Sequence, residues 1–188
     1  MTDWLDVVLT EYTALRSEVL RAMETQQTSL SFGAATIGIL AAGGFNAWEH
    51  EVPAVVVFLA GIPTLSGLVV LVWLGELTRM QRAGAMLFEL ERKVNDELES
   101  AGKGKALSWE TALRERDWKL AWNYQAIVAT FAVIAAGSVI LGAARGFDSG
   151  LSAWLVWTLI AAEVGVLAGL GFFVVTRWRH FPRPEGVG

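Results

Sequence analysis

The sequence predicts an all-α, polytopic membrane protein with four transmembrane helices extended on one side by amphipathic helices. Hydrophobic residues make up 54% of the chain and charged residues 18%, whereas charged residues form about a quarter of a typical soluble domain. Four apolar segments approach or exceed the roughly 20 residues that a helix needs to cross a bilayer. The segments that flank them carry apolar residues at alternating steps of three and four, which is typical of packed helices.

The apolar segments divide the chain into five regions. The predicted spans are Thr28–Phe45, Pro53–Glu76, Ala126–Ala144 and Leu151–Thr176. The predicted regions are a cytoplasmic amphipathic helix at 1–27, a first transmembrane hairpin at 28–76, a cytoplasmic helical segment at 77–125, a second transmembrane hairpin at 126–176 and a cytoplasmic tail at 177–188. The acidic start "MTD" lacks the basic n-region of a cleavable signal peptide, so we expect the N-terminus to be retained.

The distribution of Lys and Arg predicts the orientation, because positive residues near span ends stay cytoplasmic. The connection "NAWEHE" carries none, and of the 15 positive residues only Arg145 falls on that side. Both termini and the central segment are therefore expected in the cytoplasm, with the chain in the plasma (inner) membrane of a bacterial-type cell. Six tryptophans fall at predicted span ends, where such residues anchor helices at the interface: Trp48, Trp154 and Trp157 at the outer side, and Trp73, Trp122 and Trp178 at the inner side.

The cytoplasmic segments carry two apolar seams. The first contains Leu5, Val8, Tyr12, Leu15 and Val19, and the second contains Leu87, Leu90 and Val94. These seams suit packing within one chain as their main use, and subunit contacts in addition. Since the segment after the second span contains no proline, that span is expected to continue unbroken into the cytoplasm. Gly102 and Gly104 predict a turn near 101–107, after which a third helix from Ser108 should run into the third span.

The tetrapeptide "TALR" occurs at 13–16 and again at 111–114, which suggests a parallel repeat of two hairpins.

The stretch "EYTALRSEVLRAMETQQTSLSFGAATIGIL" resembles the helix-into-membrane entry of small bacterial proteins of the SLATT type. The resemblance covers residues 11 to about 100. It implies a transmembrane hairpin flanked by cytoplasmic helices that acts as a pore-forming effector, and this chain carries a second hairpin in addition.

Glu163 is the strongest functional candidate, because it is a lone carboxylate about 18 Å into the fourth span at 1.5 Å per residue. An acidic residue at that depth costs about 2.5–3.5 kcal/mol and generally marks an ion or proton path. Since no Lys, Arg or His lies at the same depth, its partners are expected to be hydroxyls, backbone groups or water. The candidates are Thr36, Thr64 and Ser66, together with Pro63, whose missing N–H frees a backbone carbonyl.

The fourth span also has a ladder of small residues, Ala161, Gly165 and Gly169, of the kind that allows close helix approach. Glu163 lies about 160° away from this ladder at 3.6 residues per turn. We therefore expect the tight helix contact on one side and the carboxylate on the other. The carboxylate either lines an ion pathway, as acidic rings do in cation channels, or is protonated, bonded to a hydroxyl and structural.

The composition excludes several classes of function. The chain has no cysteine and two distant histidines, and it lacks phosphate-binding glycine motifs, so we expect no enzyme, metal site or cofactor. A net charge of −4 gives no nucleic-acid signature. Three functions remain: a homo-oligomeric ion channel or membrane-permeabilising protein, which is preferred; a scaffold or signalling subunit that docks a cytoplasmic or membrane protein; and a small proton-coupled transporter. The lipid bilayer is the expected environment in all three.

Overall fold

A computed structural model of the chain describes residues 2–104, 107–108 and 120–179. All regular elements in these ranges are helical, so the predicted all-α fold is confirmed there. The elements are α1 (Thr2–Asn46), α2 (Glu51–Val56), a π-helical segment (Val57–Gly61), α3 (Ile62–Ser100), α4 (Leu120–Asp148) and α5 (Ala153–Arg179). Four stretches are long and apolar enough to cross a membrane: Asp6–Asn46, Val52–Ser100, Tyr124–Asp148 and Ala153–Phe173.

The chain divides into two compact units, and both α1 and α3 contribute to each of them. The first unit comprises Met1–Leu30 and Val72–Ile127, and the second comprises Ser31–Leu71 and Val128–Gly188. The unbroken course of α3 from Ile62 to Ser100 agrees with the absence of proline from that segment. The first predicted span likewise lies within the continuous helix α1.

The predicted seams form the core of the first unit. On α1, Val8 is buried and Tyr12, Leu15 and Val19 are half-buried; on α3, Leu87 and Val94 are buried and Leu90 is half-buried. The side chain of Leu5 lies outside the described part. The seams are thus buried within one chain, which agrees with packing within the chain as their expected main use.

An exposed ion pair joins α1 to α3 in the first unit. Arg79 Nε donates to Glu18 Oε1 at 2.9 Å. The hydrogen bond and charge of Glu18 raise the pKa of Arg79 above its ordinary value, so the guanidinium stays protonated. Because both side chains are well exposed, solvent screens the pair and it adds little to the stability of the fold.

The expected turn after α3 is confirmed as a Schellman-type helix end. Lys103 N–H donates to Leu98 O at 2.9 Å and Gly102 N–H donates to Glu99 O at 3.0 Å, while Gly102 adopts a φ of +71°. That left-handed conformation carries no steric penalty for glycine.

The chain that follows the turn is fastened to α3 by Asn95. Its Nδ2 donates to Leu107 O at 2.6 Å, and its Oδ1 accepts from Leu107 N–H at 3.0 Å. Residues 109–119, which hold most of the predicted third helix and the second "TALR" copy, lie outside the described residues, so the repeat stays a prediction.

In the second unit, glycines lie directly against larger residues of neighbouring helices. A Cβ added to any of these glycines would come within about 3.1 Å of its neighbour. The pairs are Gly33 with Val69, Gly44 with Phe58, Gly67 with Leu170, Gly142 with Leu59 and Gly146 with Val156. Glycine therefore lies at the points of closest approach between α1 and the start of α3. The contacts that α4 and α5 make depend on glycine in the same way.

Arg145 fastens α4 to the turn between α1 and α2. Its Nε and Nη2 donate to Trp48 O at 3.1 and 2.9 Å, and its guanidinium lies 5.7 Å from the centre of the Trp48 ring. The only positive residue predicted on the outer side is thus engaged in a structural contact.

The tryptophans expected at the interface differ in their surroundings. Trp122, Trp154 and Trp157 are 72%, 76% and 60% exposed, as residues that face lipid headgroups require, and Trp48 is half-buried. Trp73 differs from the expectation, because it is only 1% exposed and packs on Tyr124 with ring centres 5.5 Å apart. It is a core residue of the first unit. The side chain of Trp178 lies outside the described part.

Candidate ion site at Glu163

Glu163 lies near the middle of α5 on the face that packs against the rest of the second unit. Its side chain is 5% exposed, and Val156, two turns earlier on the same face, is 0% exposed. Leu167 and Leu170, which continue this face, are half-buried. Together with Ile160 these residues recur at steps of four, three, four and three, the spacing of a packed helix seam. The carboxyl group therefore occupies a core position.

Thr64 supplies the hydrogen bond to this carboxyl group. Thr64 Oγ1 lies 3.1 Å from Glu163 Oε1 and 3.2 Å from Glu163 Oε2, so the hydroxyl sits across both oxygens. A hydroxyl can donate to one carboxyl oxygen or accept from a protonated one. The pair is accordingly compatible with either protonation state of the acid.

The backbone before Thr64 is irregular in a way that follows from the sequence. Pro63 is buried and has no N–H to donate to the preceding turn. Residues Val57–Gly61, which end two positions before Pro63, form a π-helical turn, and Ile62 N–H donates to Val57 O. A π-turn inserts one residue into the helical hydrogen-bond pattern and is often found at functional sites. This segment also contacts α5.

Helix α4 supports the π-helical segment from another direction. A Cβ added to Gly142 would lie 2.6 Å from Leu59 N and 2.9 Å from Leu59 Cα, so the contact is made with backbone atoms. Our sequence reasoning missed this contact. The small residues Gly142 and Gly146, four apart on α4, are the signal that points to it.

The other predicted partners of Glu163 are engaged elsewhere. Ser66 is buried, but its hydroxyl donates to Ile62 O at 2.8 Å. Thr36 is exposed, and its hydroxyl donates to Phe32 O at 2.8 Å. The structure thus joins Glu163 with Thr64, beside Pro63, and leaves Thr36 and Ser66 on their own helices.

The expectation that the small-residue ladder is the tightly packed face of α5 is wrong for contacts within the chain. Ala161, Gly165 and Gly169 are exposed, and a Cβ added to Gly165 or Gly169 would meet nothing within 4 Å. The two faces are opposed as predicted. The packed face is the one that carries Glu163, because glycines on α3 and α4 leave room for Leu170 and Val156 of that face.

The chemistry available at this site is narrow. Within the described ranges, no group of three or more His, Cys, Asp or Glu side chains is arranged to hold a metal ion. The site brings one carboxyl and one hydroxyl into contact, which suits the binding of a single positive charge.

No protein-family model, curated protein or solved structure matches this chain. The likeness of residues 11 to about 100 to SLATT-type hairpin proteins therefore stays a prediction.

Proposed function

We propose that the chain is a multi-pass membrane protein whose homo-oligomer forms an ion pathway, with Glu163 and Thr64 of each subunit as its ion-recognising pair. The observation that carries the proposal is the burial of Glu163 to 5% exposure in an apolar helix, with a hydroxyl at 3.1 Å as partner. Ionisable residues within transmembrane segments are costly and generally functional. In broken-helix transporters, irregular backbone beside such a residue takes part in ion binding.

The open face of α5 supports assembly of several copies. Ala161, Gly165 and Gly169 leave an exposed surface of small residues on which a second helix can approach closely. In the proposed oligomer this ladder contacts another subunit, while Glu163 stays within its own. Each subunit then carries a complete ion site, so the pathway does not require a ring of carboxylates around a shared axis.

The proposed location is the plasma or inner membrane of a bacterial-type cell, with both termini cytoplasmic. The distribution of Lys and Arg supports this orientation. The engagement of Arg145 with Trp48 explains how one positive residue is accommodated on the opposite side.

Ion flux from liposomes tests the proposal. Purified protein reconstituted into sealed vesicles should release entrapped cations or protons, and Glu163→Gln should reduce the rate or alter the selectivity. Glu49→Gln is the matched control, since Glu49 is exposed in the turn after α1 and its substitution should leave the flux unchanged. Vesicles that stay tight under all conditions would contradict the proposal, as would equal rate and equal selectivity in the two variants.

Docking of a partner protein is the second candidate, and exposed apolar residues of the first unit favour it. Leu20 and Met23 on α1 are 58% and 48% exposed, and Met86 on α3 is 59% exposed. A docking subunit should lose a co-purifying partner on Leu20→Glu. Leu87 is a poor test residue, because at 3% exposure a charge there would disrupt the fold itself.

A further inference from the structure

Among the residues that the structure describes, no charged side chain pairs with the carboxyl group of Glu163. The elements that pack on α5 are the π-helical segment, the first part of α3 and the outer part of α4. Their described residues carry Arg145 and Asp148 as charged groups, both near the end of α4. Arg145 is bonded to Trp48 O, and the contact that joins this end of α4 to α5 is made by Val156, about 10 Å along the helix from Glu163 at 1.5 Å per residue.

A buried carboxylate without a counter-charge is strongly unfavourable, and such a group generally becomes neutral or takes up a cation. The structure therefore restricts the ligand of this site to a compensating cation. The choice between a metal ion and a proton depends on how many oxygens the site can present.

The side-chain oxygens that meet at Glu163 are few for a dehydrated metal ion. Alkali ions in filters and transporters replace their hydration shell with several protein oxygens. The side chains here supply the two carboxyl oxygens and Thr64 Oγ1. The Ser66 hydroxyl donates to Ile62 O on its own helix and makes no hydrogen bond to Glu163, and the Thr64 hydroxyl occupies the position between the carboxyl oxygens that a bidentate ion would take.

We propose that the ligand is a proton: Glu163 binds it, and Thr64 is the positioning residue that fixes the carboxyl group. When Glu163 is ionised, Thr64 O–H donates to a carboxyl oxygen. When a proton binds, the new carboxylic O–H donates to Thr64 Oγ1, or Thr64 continues to donate to the carbonyl oxygen. Both arrangements need only a rotation of the hydroxyl hydrogen. This inference deepens the ion pathway proposed above and rests on it for its biological use.

Infrared difference spectroscopy of the reconstituted protein tests proton binding directly. The spectrum of wild type minus Glu163→Gln should contain one carbonyl band of a protonated carboxylic acid. That band should persist when sodium or potassium is added at constant pH. Thr64→Val should shift the band to higher frequency because the carboxylic acid loses its hydrogen-bond partner, and Thr64→Ser should restore its position. The Thr64→Val shift is measured with Glu163 intact, so it remains informative if Glu163→Gln fails to fold.

Two results would overturn the inference. Absence of the protonated-acid band at every pH at which the protein is folded excludes proton binding. Replacement of the band by a carboxylate band on addition of sodium or potassium assigns the site to a metal cation. The infrared band and the liposome flux test the two proposals separately. A band without flux would support the proton site but refute the ion pathway, whereas flux without a band would refute the proton site alone.

Discussion

Substitution of Gly142 by alanine measures how closely α4 must approach the π-helical segment. The added Cβ would lie 2.6 Å from Leu59 N and 2.9 Å from Leu59 Cα, whereas carbon atoms in good contact lie about 3.5–4.0 Å apart. Since both contacting atoms are backbone, they cannot rotate away, and one helix must move by roughly 1 Å. Overpacking of this kind costs about 1–3 kcal/mol.

Gly137→Ala is the matched control for Gly142→Ala, because both glycines lie in α4 and a Cβ at Gly137 meets nothing within 4 Å. Each variant gains about 0.5–1 kcal/mol from replacing a helical glycine, so this gain cancels in the comparison. Gly142→Ala should therefore be less stable than Gly137→Ala by about 1–3 kcal/mol. Unfolding of the purified proteins in one detergent, followed by helical circular dichroism, measures the difference. Equal stability of the two variants would refute the close approach.

Three further substitutions test individual contacts by the same measurement. Arg145→Leu should lower the free energy of unfolding by about 1.5–3 kcal/mol, because it removes two charged hydrogen bonds to Trp48 O. Arg145→Lys should restore part of that loss, since lysine keeps the charge but lacks the planar guanidinium group. Asn95→Ala should lower the free energy of unfolding by about 1–3 kcal/mol, because it leaves Leu107 N–H and C=O without these partners. Unchanged stability would contradict the two hydrogen bonds between Asn95 and Leu107. Gly102→Ala should cost about 1–2 kcal/mol, because φ is +71° there, and unchanged stability would exclude that conformation.

The seams of the first unit were predictable because they depend on local periodicity alone. Val8 and Leu87 recur with their neighbours at steps of three and four, and both are buried. The turn at Gly102 was predictable for a similar reason, since glycine adopts a positive φ without steric cost. The burial of Trp73 was not predictable in this way. A tryptophan at a span end has the same position along the helix whether its ring faces lipid or packs on Tyr124.

The packed face of α5 shows where sequence reasoning reached its limit. The ladder of Ala161, Gly165 and Gly169 was read as the close contact, because small residues allow helices to approach. Within the chain, the glycines that permit close contact belong to the partner helices, as Gly67 does for Leu170. Periodicity identifies two opposed faces, but which face is filled depends on residues far away in sequence. The seam spacing that includes Glu163 was the available signal for the correct choice.

The opposed faces of α5 place the proton site and the proposed subunit contact on one rigid element. A carboxyl group lies about 5 Å from the axis of its helix, so a rotation of α5 by about 20° displaces it by roughly 2 Å. The hydrogen bond between Thr64 and Glu163 is already 3.1 Å long, and such bonds weaken steeply beyond their normal range. A rearrangement at Gly165 and Gly169 that turned α5 by this amount would therefore separate Glu163 from Thr64. For the proposed oligomer we accordingly expect substitutions at Gly165 or Gly169 to change the infrared band of Glu163, and an unchanged band in an assembled variant would contradict this coupling.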